Sequence, residues 1–116
     1  MEIGIDCIDI ARFNESSILL KQNLKRIFTN KEIDYCQKME HPSQHFAVRY
    51  AGKEAVQKAF TEYNIAISLN HIEILKKENG KPFVHMVDDK AKDFNIKISL
   101  SHSKTTAVAI ALITSK

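Results

Sequence analysis

The ionisable side chains set among apolar neighbours are where this sequence first invites chemistry. In Phe46-Ala47-Val48-Arg49-Tyr50-Ala51-Gly52-Lys53-Glu54-Ala55-Val56-Gln57-Lys58-Ala59-Phe60 the apolar residues recur at helical spacing. At about 100° per residue, Glu54 and Lys58 fall on either side of Ala47, inside the arc marked by Phe46, Tyr50, Ala51, Ala55 and Ala59. An ion facing a core is costly without a partner. Asp6 poses the same question on a strand. Alternation from Met1 to Ile10 puts it on one face with Gly4, Ile8 and Ile10, while Ile3, Ile5 and Cys7 face the other way. If Asp6 and Glu54 converge, they repel until one takes up a proton or a cation joins them. Mg²⁺ suits such a pair, because it takes one or two carboxylates and leaves its other positions to water and phosphate oxygens. The structural alternative is that Asp6 caps a backbone group and Glu54 pairs with Lys58 one turn on. Spacing leaves both open, and structural ion pairs are the commoner outcome.

Further candidates carry weaker signals. Arg49 and Lys53 lie one turn apart on the polar face of the same helix. They are either a solvated face or a phosphate grip, Arg by its planar fork and Lys as a point charge. His102 ends Ile98-x-Leu100-x-His102, so it shares the inward face of its strand, between Ser101 and Ser103. A hydrogen-bonded core histidine is the ordinary reading there, a ligand or base the other. His41 and His45 have the spacing of zinc ligands on a helix, but Pro42 separates them and no Cys or carboxylate cluster completes a set. Both read as surface residues. Arg12, Lys21, Lys25 and Arg26 form a basic surface, either solvated or suited to an acidic helix. There is no GxGxxG, Walker or GxSxG motif.

The elements that must position these residues follow from local signals. Met1 to Ile10 predicts a strand, and Ser16 to Phe28 a helix. Thr29-Asn30-Lys31-Glu32 is a capping-box pattern opening a second helix to about Met39. Pro42 and Ser43 start the long helix, which runs to about Phe60. Ile72 to Lys77 and Pro82 to Met86 are strands joined by Glu78-Asn79-Gly80-Lys81, with Asn-Gly as the hairpin signal. Asp88 to Phe94 is a short helix or loop, and Lys97 to Ser103 and Ala107 to Ile113 form a last strand pair. The sum is one small α+β domain, a mainly antiparallel sheet packed with a long helix.

Composition bounds the partners. The chain has 116 residues, 17 Lys and Arg against 14 Asp and Glu, and a net charge of +3. That is enough for an acidic protein or a phosphorylated ligand but lacks the strong bias of a nucleic-acid binder, so no nucleic-acid partner is expected. So short a chain builds a deep pocket more easily between subunits than within one. Cys7 and Cys36 show no paired spacing and are expected as two buried free thiols in a reducing compartment. No run approaches the roughly 18 apolar residues of a membrane span. Glu2 and Asp6 interrupt the N-terminal apolar segment, unlike a signal peptide, so the expectation is a cytoplasmic protein with no membrane partner.

Five segments, in order, resemble one family. Gly4-Ile5-Asp6-Cys7-Ile8-Asp9-Ile10-Ala11-Arg12-Phe13 looks like the opening strand of the small bacterial holo-(acyl-carrier-protein) synthases. Arg26 to Ile33 is similar to their segment leading into the second helix, and Phe46 to Ala55 resembles their signature helix FAxRFAAKEA. Glu78 to Phe83 and Ser99 to Ser103 match the NGKP hairpin and the S-[IL]-[ST]-H strand. The resemblance implies a 4′-phosphopantetheinyl transferase-like fold, assembled as a homotrimer with active sites between subunits. It implies an enzyme of fatty-acid synthesis that moves the 4′-phosphopantetheine arm of coenzyme A to a serine of apo-acyl carrier protein, leaving adenosine 3′,5′-bisphosphate.

By position, the resemblance makes Asp6 and Glu54 the Mg²⁺ ligands. Glu54 is also the candidate base for the serine, directly or through a metal-bound water, and Lys58 stabilises the pyrophosphate. Arg49, Asn79 and His102 hold the adenosine bisphosphate end with help from Lys53, and Arg12 meets the acidic carrier helix. Gly52 departs from the signature, where alanine is usual, and lets something approach the helix closely. The competing reading is a non-catalytic module that binds coenzyme A or the carrier protein. Its weakness is that a pure binder needs no inward carboxylates.

Overall fold

The computed structural model describes residues 1–14 and 23–116. The predicted helix over Ser16 to Phe28 lies mostly outside the described residues, Lys21 included; within them its end is one turn, α1 (Leu24–Ile27). The strand β1 (Glu2–Asp9) leads into a 3₁₀ turn, Ile10–Phe13. Next come α2 (Asn30–Gln37) and α3 (Pro42–Thr61). The chain continues through β2 (Ile72–Lys76), β3 (Pro82–Met86), a 3₁₀ turn at Asp89–Ala91, β4 (Phe94–His102) and β5 (Thr106–Ser115). No helix among the described residues is long and apolar enough to cross a membrane.

Three antiparallel strands in the order β1-β5-β4 make one sheet, and β2 with β3 makes a separate hairpin. Asp6 pairs with Ala109 and His102 with Ala107, so the central strand β5 ties both candidate site strands into one register. The inward residues of β5 are Ala107, Ala109, Ala111 and Ile113, all buried. They face α3, whose Ala47, Ala51, Ala55 and Ala59 are also buried and recur every fourth residue. Alanine against alanine lets helix and sheet approach closely. At Gly4 the approach is complete: a Cβ there would lie 1.9 Å from the backbone oxygen of Ala55. The opposite face of the sheet is open and, along β1 and β5, apolar, with Ile3 and Ile5 each 60% exposed and Ile110, paired with Ile5, 40% exposed; the outward residues of β4 are polar.

The second side of α3 is covered too. Gly52 sits under the hairpin and β4, where an added Cβ would come within 2.5 Å of Ile74 and 3.0 Å of Ile98. The close approach expected at this glycine is therefore made by core side chains. At the N-terminal half of α3, Phe13, Phe28 and Phe46 cluster, with Phe28 and Phe46 centroids 5.0 Å apart. This cluster anchors the turn that carries Arg12.

Local signals set the ends of the elements. Thr29 and Glu32 form the predicted capping box at α2, and Pro42 occupies the first turn of α3. Gly80 takes a φ of +85° in the β2–β3 turn, which suits glycine. The expectation of two buried thiols is corrected by strand alternation. Cys36 is buried, and burial pushes its thiol up to about 12. Cys7 lies on the open face of β1 and is exposed.

Candidate functional site

Helix α3 presents two distinct polar regions, on opposite flanks. On the first, β1 brings Asp6 to the helix, held there by the backbone contact at Gly4. Lys58 Nζ donates to Asp6 Oδ1 and to the carbonyl oxygen of Ile5, each at 3.0 Å. Glu54, one turn before Lys58, is half-buried and bonds the Tyr50 hydroxyl. Burial raises the Tyr50 pKa, and the Glu54 bond and charge push the same way, with a smaller contribution from Asp6. The Arg12 guanidinium stands over the Tyr50 ring, 5.7 Å from its centroid. Two carboxylates and an arginine thus meet around one tyrosine, with Lys58 paired to one of the carboxylates. The structure brings Asp6, Glu54 and Lys58 together, but Lys58 pairs with Asp6 rather than with Glu54.

The opposite flank forms one wall of a groove of about 510 Å³ between the start of α3, the end of β4 and the β2–β3 turn. That volume falls within the range of small-molecule sites. Its polar wall carries His45, Arg49, Lys76, Lys81 and His102, and no aspartate or glutamate lines it among the described residues. Val48, Pro82, Ile98 and Leu100 supply apolar surface. Cations without counter-charge beside apolar surface suit an anion attached to a flat ring system. Arg49 is nearly enclosed: its Nη1 donates to the His45 carbonyl oxygen at 3.3 Å, and its guanidinium lies 4.3 Å from the Tyr35 ring centroid. Its Nε is buried with no hydrogen-bond partner among the described residues. Burial lowers the His45 pKa, and the charges of Arg49, Lys76, His102 and His41 lower it further.

The structure corrects the placement of several predicted residues. Glu54 and Lys58 were expected inside the apolar arc of α3, with Arg49 and Lys53 on its polar face. Arg49 and Lys53 are instead the buried cations, while Lys58 has an exposed side chain. The hairpin and α2 cover the flank that helical periodicity marks as polar; periodicity in one helix does not reveal a second layer.

Lys53 is fully enclosed and absent from the groove. Its ammonium donates to Glu32 Oε1 at 2.6 Å, to the Leu69 carbonyl oxygen at 3.0 Å, and to that of Ile72. All three of its donors are used. Burial draws its pKa below the ordinary lysine value, with the Glu32 carboxylate opposing that shift. Asn79 is likewise absent from the groove lining; its Oδ1 accepts from the Lys81 backbone N–H at 3.0 Å and shapes the turn. His102 shares a face with Ile98 and Leu100 as expected, but β4 outruns the core and leaves it exposed on the groove wall.

Sequence reasoning missed Gln44, His45, Lys76 and Lys81 as members of the groove. Lys81 lay within the NGKP segment, the one signal available. The others are ordinary polar residues until the fold brings three separate elements together. The Glu32 partner of Lys53 was missed because it comes from another helix.

The comparisons with known proteins agree on one family. The sequence profile described as 4′-phosphopantetheinyl transferase superfamily matches residues 2–113. A holo-(acyl-carrier-protein) synthase of Chlamydia felis is 41% identical, with 96% of each chain covered. One from Chloroherpeton thalassium is 38% identical, with 97% of each covered. The crystal structure of a holo-(acyl-carrier-protein) synthase from Bacillus anthracis, in complex with coenzyme A (3′,5′-ADP), superposes with a TM-score of 0.79. Its identity is 30%, over 99% of this chain and 96% of that one. The Helicobacter pylori synthase in complex with coenzyme A gives a TM-score of 0.81 at 27% identity, over 97% and 99% of the two chains. The order of segments, the α+β architecture and these likenesses have one conclusion: the chain belongs to the 4′-phosphopantetheinyl transferase superfamily.

Proposed function

We propose that this protein transfers the 4′-phosphopantetheine arm of coenzyme A to a serine hydroxyl of an apo-acyl carrier protein. The observation that carries this reading is the division of labour on α3: a groove lined, among the described residues, by cations and no carboxylate on one flank, a carboxylate centre on the other. Coenzyme A is a molecule with both needs. Its adenosine 3′,5′-bisphosphate end matches the groove, and its pyrophosphate needs positive charge at the reacting phosphorus.

Asp6 and Glu54 fit a hard divalent ion. Among the described residues no group of three or more His, Cys, Asp or Glu could hold a metal. Two carboxylates that leave the remaining positions to phosphate oxygens are what Mg²⁺ takes. When bound, Mg²⁺ neutralises charge building on the leaving phosphate. The chain's own residues do the rest. Lys58, already beside Asp6, donates to the pyrophosphate. Glu54 accepts the serine proton as the serine oxygen bonds to the phosphorus that carries the pantetheine arm. The phosphorus–oxygen bond to the adenosine half breaks, and adenosine 3′,5′-bisphosphate leaves. Arg49 and His102 hold that product's phosphates, with Lys81 beside them. Lys53 and Asn79 are assigned to the fold and the turn. Arg12, exposed next to the carboxylates, together with Lys25 and Arg26 of α1, faces the acidic carrier.

One chain does not put these two halves in line. Lys58 lies about 180° around α3 from Arg49 at 3.6 residues per turn. A homotrimer supplies the remedy, with one subunit's groove meeting a neighbour's carboxylate centre. The open sheet face of Ile3, Ile5 and Ile110 supports it, since an apolar patch of this kind marks an association surface. The same reading places the protein in the cytoplasm, serving fatty-acid synthesis. The test is intact-mass analysis of apo-acyl carrier protein incubated with this protein and coenzyme A, with Mg²⁺ or with chelator. A phosphopantetheine-sized gain that needs the metal is expected. Binding of coenzyme A without any gain, across several carriers, would leave a non-catalytic module.

A further inference from the structure

Gln44, in the first turn of α3, and His102, the last residue of β4, meet on the groove wall. Gln44 Nε2 lies 2.9 Å from His102 Nε2, and His102 Nδ1 lies 3.1 Å from the Ser103 carbonyl oxygen. A carbonyl oxygen only accepts, so Nδ1 carries a proton. In the neutral ring Nε2 is then the accepting nitrogen, and the Gln44 amide N–H is its donor. The imidazole is gripped at both nitrogens, from two different elements.

We propose that Gln44 is a positioning residue: through its bond to Nε2 it orients the His102 imidazole on the groove wall, in the Nδ1–H tautomer, and so prepares it for an anionic ligand. The inference rests on the phosphate-binding reading of the groove. His102 is the exposed last residue of β4, and one carbonyl contact to the adjacent residue is too little to fix a ring. The second grip removes the remaining rotation. When phosphate replaces the amide at Nε2, once that nitrogen carries a proton, Ser103 still holds Nδ1 and the ring need not turn. An uncharged donor also suits this wall. A lysine or arginine at position 44 would add repulsion near Arg49, and a carboxylate would compete with the ligand for that cation.

Two measurements on the full chain test this, with adenosine 3′,5′-bisphosphate as the probe. Nitrogen-15 NMR of histidine-labelled protein reads the tautomer of His102, assigned with His102→Gln, and calorimetry reads the Kd. The informative variant is Gln44→Met, which keeps length and helix propensity while removing the amide; Gln44→Ala is its companion. The wild-type ring is expected in the Nδ1–H form at mildly alkaline pH. Gln44→Met should show mixed tautomers and a Kd about three- to tenfold weaker, the scale of one hydrogen bond. Lys81→Ala should weaken binding without changing the tautomer. An unchanged ring and an unchanged Kd in Gln44→Met would overturn the proposal. Weaker binding with an unchanged ring would make Gln44 a direct ligand contact, and a changed ring with an unchanged Kd would make its orientation inconsequential; either overturns the positioning role. A ring changed in Gln44→Met, in a protein whose wild type binds no probe, would overturn the preparation for an anionic ligand along with the reading of the groove.

Discussion

Two lysine–carboxylate pairs sit five residues apart on α3, and they have opposite characters. Lys53 and Glu32 are 2.6 Å apart with both side chains 0% exposed. Every lysine donor is used, and Glu32 also accepts from the backbone N–H groups of Thr29 and Ile74, at 2.9 and 2.8 Å. Lys58 and Asp6 are 3.0 Å apart with side chains 54% and 16% exposed. The first pair joins α2, α3 and the start of β2 into one body and has nothing left to offer a ligand. The second has an open side and can exchange partners. Lysine–carboxylate pairs therefore divide into structure and chemistry according to how much of their bonding capacity the fold consumes.

The largest way to break this comparison is to unpair the buried ions. Glu32→Gln leaves an uncompensated ammonium in the core and should cost about 3–5 kcal/mol of stability, read as a lower denaturation midpoint. The double variant Glu32→Leu/Lys53→Met should recover much of that loss, because the desolvation cost of both charges disappears. No recovery would mean that the pair contributes through its backbone hydrogen bonds more than through charge.

At the open pair the damage should move from stability to rate. Glu54→Gln should slow phosphopantetheine transfer by at least about 100-fold, on the scale of a lost electrostatic or proton-accepting group. The thermal midpoint should stay near that of the parent. Wild-type turnover in that variant would remove Glu54 from both the ion site and the proton transfer. Lys58→Ala should cost about tenfold in rate, with a stability change within about 1 kcal/mol, as for other exposed pairs. An unfolded Lys58→Ala protein would abolish the contrast with Lys53.

Glu73 offers the smallest and most graded test, since it stands between the two extremes. It is buried, yet its carboxylate accepts from the Thr29 hydroxyl at 2.5 Å and lies 3.1 Å from Nδ1 of the exposed His85. Burial pushes its pKa up, and the bonds from Thr29 and His85 outweigh that and hold it below the usual glutamate value. A depressed carboxyl stabilises the fold above its unfolded pKa of about 4.3 and loses that contribution as pH falls through the lower folded value. Thermal midpoints of the parent and Glu73→Gln, followed from neutral to acid pH, should therefore begin to converge below the unfolded value of about 4.3 and meet only below the lower folded one. A constant gap would assign the difference to packing.

Much of the fold was legible in the sequence because its signals are local. The Asn79-Gly80 turn, the Thr29–Glu32 capping box and Pro42 at the start of α3 each act within a few residues. The burial of α3 was not, because β1, β5, β4 and the β2–β3 hairpin arrive from distant parts of the chain to cover both of its sides. The site followed the same rule. Asp6 and Glu54 stood out as carboxylates among apolar neighbours, a pattern visible in one dimension. The groove did not stand out, because Gln44, Lys76 and His102 are unremarkable until three elements converge. Lys53 shows the cost of extending a helical wheel to partners the wheel does not contain: the residue drawn toward solvent is fully enclosed.

The missing side chain at Gly4 has a consequence for mechanical tolerance. Main chain rests on main chain there, so the span from Asp6 to Glu54 is referenced to two rigid backbones rather than to rotatable groups. Exchanges of apolar side chains elsewhere can tilt the hairpin or shift β4, and with them the groove, while this span keeps its length. The carboxylate centre is thereby insulated from sequence drift, and the groove is the part of the molecule left free to adapt.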